Sequence, residues 1–130
     1  MNLFNVLGSS LQAQTVRLST VASNIANADQ VASRPEDAYR ARVPVFATVL
    51  EGEQAGAVQV VGVAESNAPA RAEHNPGHPL ADADGNIYRP NLSAVEAMAD
   101  MLSASRTYEA SAQALSTAQE LTLRTLRLGQ

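Results

Sequence analysis

The chain has 130 residues, a formal net charge of -4 and no cysteine. That length allows one domain with a modest core. The charge gives no basic footprint for nucleic acid, and the lack of cysteine excludes disulfides, thiolate zinc sites and cysteine nucleophiles.

The first predicted element runs from Leu3 to Ala28. Phe4, Leu7, Leu11, Gln14, Leu18, Val21 and Ile25 recur at spacings of three and four, a heptad-like helical seam with one polar member, Gln14. The stretch contains no proline, and as a helix it would span roughly 39 Å. Arg17 is its only charged residue, and the positions off the seam are mostly Ser, Asn, Gln, Thr and Ala. A solvated helix face carries more charge than this, so the element reads as a helix to be surrounded by other protein. Asn24 and Asn27 are poor interior helix residues and good terminators, which places the helix end near Asn27.

Asp29 to Asp37 is a polar loop broken by Pro35, expected to be mobile without a partner. From Tyr39 to Leu50, Tyr39, Ala41, Val43, Val45, Ala47 and Val49 alternate as a strand. Pro44 makes it an edge strand or one carrying a bulge. Glu51 to Gly56 reads as a turn and Val58 to Ala64 as a second strand. The resulting hairpin would be marginal alone and must lean on a helix or a neighbouring subunit. Asn67 to Asn91, punctuated by Pro69, Pro76, Pro79 and Pro90, reads as irregular, with a turn at Asp84-Gly85-Asn86 leading to a short strand at Ile87 to Arg89.

A second helix starts at a capping box, Ser93 with Glu96, with Leu92 and Ala97 as its staple. It runs to about Leu128, where Gly129 stops it and Arg124 and Arg127 complement its dipole. Met98, Met101, Ser105, Tyr108, Ala112, Leu115, Gln119, Thr122 and Leu126 keep the three-four spacing, and this helix carries seven charges from Glu96 to Arg127. The fold class that follows is mainly α with a small β part. Long N- and C-terminal helices pack as an antiparallel coiled-coil-like hairpin, with a β-hairpin and an irregular loop segment between them. The organisation is 1–28, an assembly helix; 29–92, a middle segment; and 93–130, a second assembly helix.

No catalytic site emerges. There is no G-x-S-x-G elbow, and without lysine there is no phosphate-binding P-loop. The pairs Glu36/Asp37 and Glu51/Glu53 fall in loops and strand ends and read as solvated surface. His74, His78, Asp82 and Asp84 could bind metal by type. Pro76, Gly77 and Pro79 take the two histidines off any helix, so they lose the geometry of a helical zinc pair. Asp82 to Asn86 lacks the third oxygen ligand and terminal Glu of a calcium loop. No metal and no cofactor is assigned. All nine basic residues are Arg, which genomic codon bias explains without an Arg-based phosphate site. No run of about 18 apolar residues is present, so no membrane span is expected. The N-terminus lacks the features of a cleaved secretory signal.

Specific strings carry a resemblance. Val21-Ala22-Ser23-Asn24-Ile25-Ala26-Asn27-Ala28-Asp29 resembles the signature closing the N-terminal helix of bacterial flagellar rod and hook proteins. His78-Pro79-Leu80-Ala81-Asp82-Ala83-Asp84-Gly85, followed by Pro90-Asn91-Leu92, is similar to a segment of the proximal-rod members of that family. So are Met101 to Ala110, the Tyr39-Arg40 pair with Val45-Phe46, and the close from Thr125 to Gln130. One departure is Ser111, where asparagine is common.

The resemblance implies a structural subunit of the flagellar basal-body rod, exported by the flagellar type III apparatus without signal cleavage. It implies assembly in the periplasm into a hollow drive shaft that transmits torque and passes exported subunits. The implied partners are rod proteins of the FlgB, FlgF and FlgG types and neighbouring copies of the chain; no nucleic acid and no membrane span is implied. Phe4, Leu7, Leu11, Leu18, Val21 and Ile25 are expected to pack against Met98, Met101, Tyr108, Leu115 and Leu126 of the same or a neighbouring subunit. Asn24 and Asn27 are expected to end the helix and to belong to the subunit interface, and Arg106 and Glu109 could pair between subunits or sit on a solvated face. Residues 1 to 35 are expected to order on docking. A soluble helical-hairpin adaptor binding a partner helix is the alternative.

Overall fold

The computed structural model describes residues 2–50, 52 and 55–129. In chain order it contains α1 (Leu3–Ala26), a single 3-10 turn at Pro35–Asp37, β1 (Arg42–Thr48), β2 (Val58–Glu65), β3 (Arg71–His74), β4 (Asn86–Arg89) and α2 (Ala94–Leu128). The strands form two separate two-stranded sheets, β1 with β2 and β3 with β4. This is the expected class: two long terminal helices with a small β part between them.

The helix boundaries have local causes. Asn2 caps α1, its Oδ1 accepting the Phe4 N–H at 2.9 Å. At the other end Asn27 donates from Nδ2 to the Ser23 carbonyl at 2.8 Å, alongside its own backbone N–H at 3.1 Å. Ser93 caps α2 as the sequence indicates, its Oγ accepting the Glu96 N–H at 3.3 Å.

Contacts divide the chain into two compact units. One holds Met1–Leu18, Pro44–Gly62 and Leu102–Gln130. Here α1 and α2 meet at the Ser10 and Ser111 hydroxyls, 3.1 Å apart. Ser111 thus supplies one tie between the two helices. The hairpin is held to α1 by the Val58 N–H, which donates to Ser9 Oγ at 3.0 Å. Its turn end is closed by Val49 N–H to the Ala57 carbonyl at 2.9 Å and Gly56 N–H to the Val49 carbonyl at 2.8 Å. Gly56 sits at φ 86°, a left-handed conformation that favours glycine. Of the turn expected at Glu51 to Gly56, residues 51, 53 and 54 lie outside the described residues, and with them the Glu51/Glu53 pair. Ala13, Ala57 and Ala104 are the buried apolar residues here.

The other unit holds Ser19–Val43 and Val63–Met101. Its centre is Ile87 on β4, with no exposed surface, beside the buried Pro90. β3 pairs antiparallel with β4, Arg71 opposite Arg89 and His74 opposite Asn86. The sequence reading placed β3 inside an irregular stretch. Arg-Ala-Glu-His has no apolar alternation, and all four residues are exposed, so only its partner makes it a strand. The Asp29 to Asp37 loop is also more anchored than its composition suggests. Ala32 is buried and exchanges two backbone hydrogen bonds with Tyr88, at 2.9 and 3.0 Å. Asn24, Glu96, Ala97 and Asp100 line one cleft, so the end of α1 lies beside the start of α2. The two long terminal helices are the antiparallel pair expected.

Candidate assembly surfaces

Among the described residues the buried apolar set is Ala13, Val21, Ala28, Ala32, Ala38, Ala57, Ile87 and Ala104. All but Val21 and Ile87 are alanines. The larger apolar residues are elsewhere: Phe4, Val43, Val45, Phe46, Leu50, Val61, Met98, Met101, Leu102, Tyr108 and the leucines of the α2 end are all exposed. Buried alanine contributes little transfer energy and lets helix backbones approach, whereas exposed leucine and methionine forfeit what burial would supply.

The expected seam of α1 is divided. Val21 is buried; Leu7, Leu11, Leu18, Asn24, Ile25 and Asn27 are half-buried; Phe4 is exposed. Beyond Leu3, Phe4 and Asn5 the exposed positions of the helix are Gly8, Gln12, Thr15, Ser19, Ala22 and Ala26, none of them charged or large and apolar. The side of α2 turned inward consists of Ala94, Ala97, Asp100, Ala104, Ser105, Ser111, Ala112, Leu115 and Ala118, all buried or half-buried. Of the predicted α2 seam Ser105, Ala112 and Leu115 belong to that side. Met98, Met101, Tyr108 and Leu126 are exposed, about one residue around the helix from the buried line. Three-four spacing identifies a face but not which of two adjacent faces the chain covers for itself.

The end of α2 is the most uncovered element. α1 has 24 residues and α2 has 35. With Ser10 beside Ser111, Leu3 comes level with about residue 118, and roughly ten residues of α2 have no α1 turn opposite. Every described residue from Gln119 to Gly129 is exposed, Leu126 at 63% and Leu128 at 89%. The charges there are confined: at 100° per residue Glu120, Arg124 and Arg127 fall within about 60° of the circumference, with Arg124 paired to Glu120. The rest of this helical segment is leucine, threonine and glutamine.

The two asparagines of the α1 signature do different things. Asn27 caps the helix, as expected. Asn24 does not: its amide pairs with the backbone of Arg42 through two hydrogen bonds and receives a third from Tyr39.

The His74, His78, Asp82 and Asp84 stretch is a backbone clasp. Asp82 accepts the Asn86 N–H at 2.8 Å and the Asp84 N–H at 3.0 Å on Oδ1, and the Tyr88 hydroxyl at 3.0 Å on Oδ2. These donors, the Asn86 N–H foremost, hold its carboxyl below the ordinary carboxylate range, against a smaller opposing effect of desolvation. The same bond to Asp82 pushes the Tyr88 hydroxyl up. His78 Nδ1 accepts the Leu80 N–H at 3.0 Å, and His74 Nδ1 lies 3.3 Å from Asn86 Oδ1. Gly85, at φ 78°, closes the turn, and a Cβ there would meet Pro76 at 3.1 Å and His74 at 3.2 Å. Among the described residues no group of three or more His, Cys, Asp or Glu is placed to hold a metal ion. No helix among them is long and apolar enough to cross a membrane.

Comparison with known proteins places these features. The family model described as flagella basal body rod protein matches residues 4–32, which cover α1 and its signature. The model described as flagellar basal body rod FlgEFG protein C-terminal matches residues 83–128, which cover β4 and α2. The flagellar basal-body rod protein FlgC of Salmonella typhimurium is 44% identical over 131 residues, covering 100% of this chain and 98% of that protein. The FlgC proteins of Escherichia coli O6:H1 and Yersinia enterocolitica are 44% and 42% identical with the same coverage. The chain belongs to the FlgC family of flagellar basal-body rod proteins.

Proposed function

We propose that this chain, a structural subunit of the flagellar basal-body rod, polymerises through its terminal helices into a hollow periplasmic shaft that carries torque and passes exported subunits. Its family is structural, not enzymatic, and it associates with other rod components. One observation carries the helical part of this reading: the chain buries alanines and leaves Met98, Met101, Leu102, Tyr108, Leu121, Leu123, Leu126 and Leu128 outside. A helix with that face in water has its covering surface on other molecules. Segments 1–28 and 93–130 are the assembly elements, and 29–92 is the middle segment. Phe4, Leu7, Leu11, Leu18, Val21, Ile25, Met98, Met101, Tyr108, Leu115 and Leu126 are the contact residues.

The partners in this reading are neighbouring copies and rod proteins of the FlgB, FlgF and FlgG types, reached after export by the flagellar type III apparatus without signal cleavage. The family resemblance supports this placement.

Leu126→Asp separates folding from assembly. Leu126 is exposed in the single chain, so its stability should change by no more than about 0.5 kcal/mol. In the rod the carboxylate would be forced against apolar neighbours. The expected result is an unchanged urea midpoint for the purified chain and no restoration of swimming in cells lacking the native subunit. A variant that restores swimming removes the α2 end from the interface.

A further inference from the structure

The last turns of α1 and the first residue of β1 are joined along the chain by a connection running from Asn27 to Ala41, and the structure joins them a second time. Asn24 lies in the last turn of α1, and its side-chain amide treats Arg42 as a neighbouring strand would. Oδ1 accepts the Arg42 N–H at 2.8 Å, and Nδ2 donates to the Arg42 carbonyl at 2.9 Å. Arg42 therefore points both backbone groups away from β2. The residue before it points the other way, the Ala41 carbonyl accepting the Ser66 N–H at 2.8 Å. This is the alternation of a strand inside a sheet, with a side chain in place of the third strand.

The amide has only one workable orientation. The Tyr39 hydroxyl donates to the same Oδ1 at 2.9 Å, and with its one hydrogen so engaged its oxygen accepts from the Ser23 hydroxyl at 3.0 Å. A flipped amide would set its nitrogen against the Arg42 N–H and its oxygen against the Arg42 carbonyl. The segment in between is fastened elsewhere, at Ala32 to Tyr88 and through Arg89 to the Asp29 carbonyl at 3.3 Å.

We propose that this pairing is a latch: the last turns of α1 and the start of β1 open and close as one cooperative unit, with Asn24 as the fastener and Tyr39 as the residue that holds its orientation. Left to itself a helix end frays, and an outer strand edge exchanges freely. Tied through Asn24, neither opens without the other. The connection between them then cannot act as a hinge, and a displacement of the β1–β2 ribbon is delivered directly to α1.

Native-state hydrogen exchange on the purified full-length chain tests this. In the wild type the Arg42 amide and the amides of Ile25 to Asn27 should open with one shared rate. Asn24→Ala should speed all of them by one common factor, about tenfold for the loss of a two-bond pairing. Tyr39→Phe keeps the ring and loses the orienting proton, and should speed the same set by a smaller common factor, about threefold. If Asn24→Ala speeds Arg42 alone, or if the wild type shows no protection at Arg42, the latch does not exist. Should Asn24→Ala fail to fold, Tyr39→Phe decides by the same criterion. The measurement uses unassembled protein, so a negative result overturns the latch and leaves the rod assignment standing.

Discussion

Asp82 shows what a single residue does to a loop that composition marks as irregular. Its carboxylate gathers three donors and fixes the approach to β4. A carboxyl held below its unfolded value stabilises the fold above the unfolded pKa of about 3.9. That stability is lost as the pH falls through the lower, folded value. Urea midpoints measured across this range should fall in acid below about pH 4, and Asp82→Asn should show a shallower acid limb. Equal limbs would mean that the clasp does not depend on the charge. Gly85 is the second fixed point, because both its φ of 78° and the close contacts a Cβ would make with Pro76 and His74 disfavour other residues. Gly85→Ala should cost roughly 1–2 kcal/mol in denaturant unfolding. The signature asparagines carry a related lesson. Residue type alone makes both of them helix terminators. Only Asn27 reaches a carbonyl of its own helix, whereas Asn24 reaches a strand eighteen positions later, a distance over which local propensity says nothing.

At the scale of elements, the two helices were legible almost to their ends. Periodicity, a Ser-x-x-Glu box and a terminal glycine are local signals, and the chain obeys them. β1 and β2 were legible from their β-branched content, and the prediction that Pro44 lies on an edge is met in a two-stranded sheet, where every strand has a free side. β3 was not legible, because a strand of exposed polar residues is defined by the hydrogen bonds of β4. β4 holds the buried Ile87, the largest apolar side chain that this small core encloses fully. Ile87→Ala should therefore destabilise the chain by about 2–5 kcal/mol, read as a large drop in thermal midpoint by circular dichroism. A change below about 1 kcal/mol would show that the pocket collapses around alanine and that the β3–β4 sheet is anchored elsewhere. The fastenings at Asn24 and Ala32 tie the end of α1 and the loop after it within the single chain.

At the scale of the whole molecule, a rod subunit has to keep a fold and still offer surfaces. This chain does so by spending small residues inside and large ones outside. The sequence by itself determined the family, the two helix spans, the shortage of charge on α1 and the absence of a catalytic constellation. Each of these is written in residue identity and short-range spacing. Only the tertiary structure decided which side of α2 faces inward, that Asp82 serves a clasp, that Asn24 serves a strand, and that Arg71–His74 is a strand at all. The reason is physical. A three-four repeat is satisfied equally by an intramolecular or an intermolecular neighbour, and a polar side chain takes its role from whichever partner the fold brings within hydrogen-bonding distance.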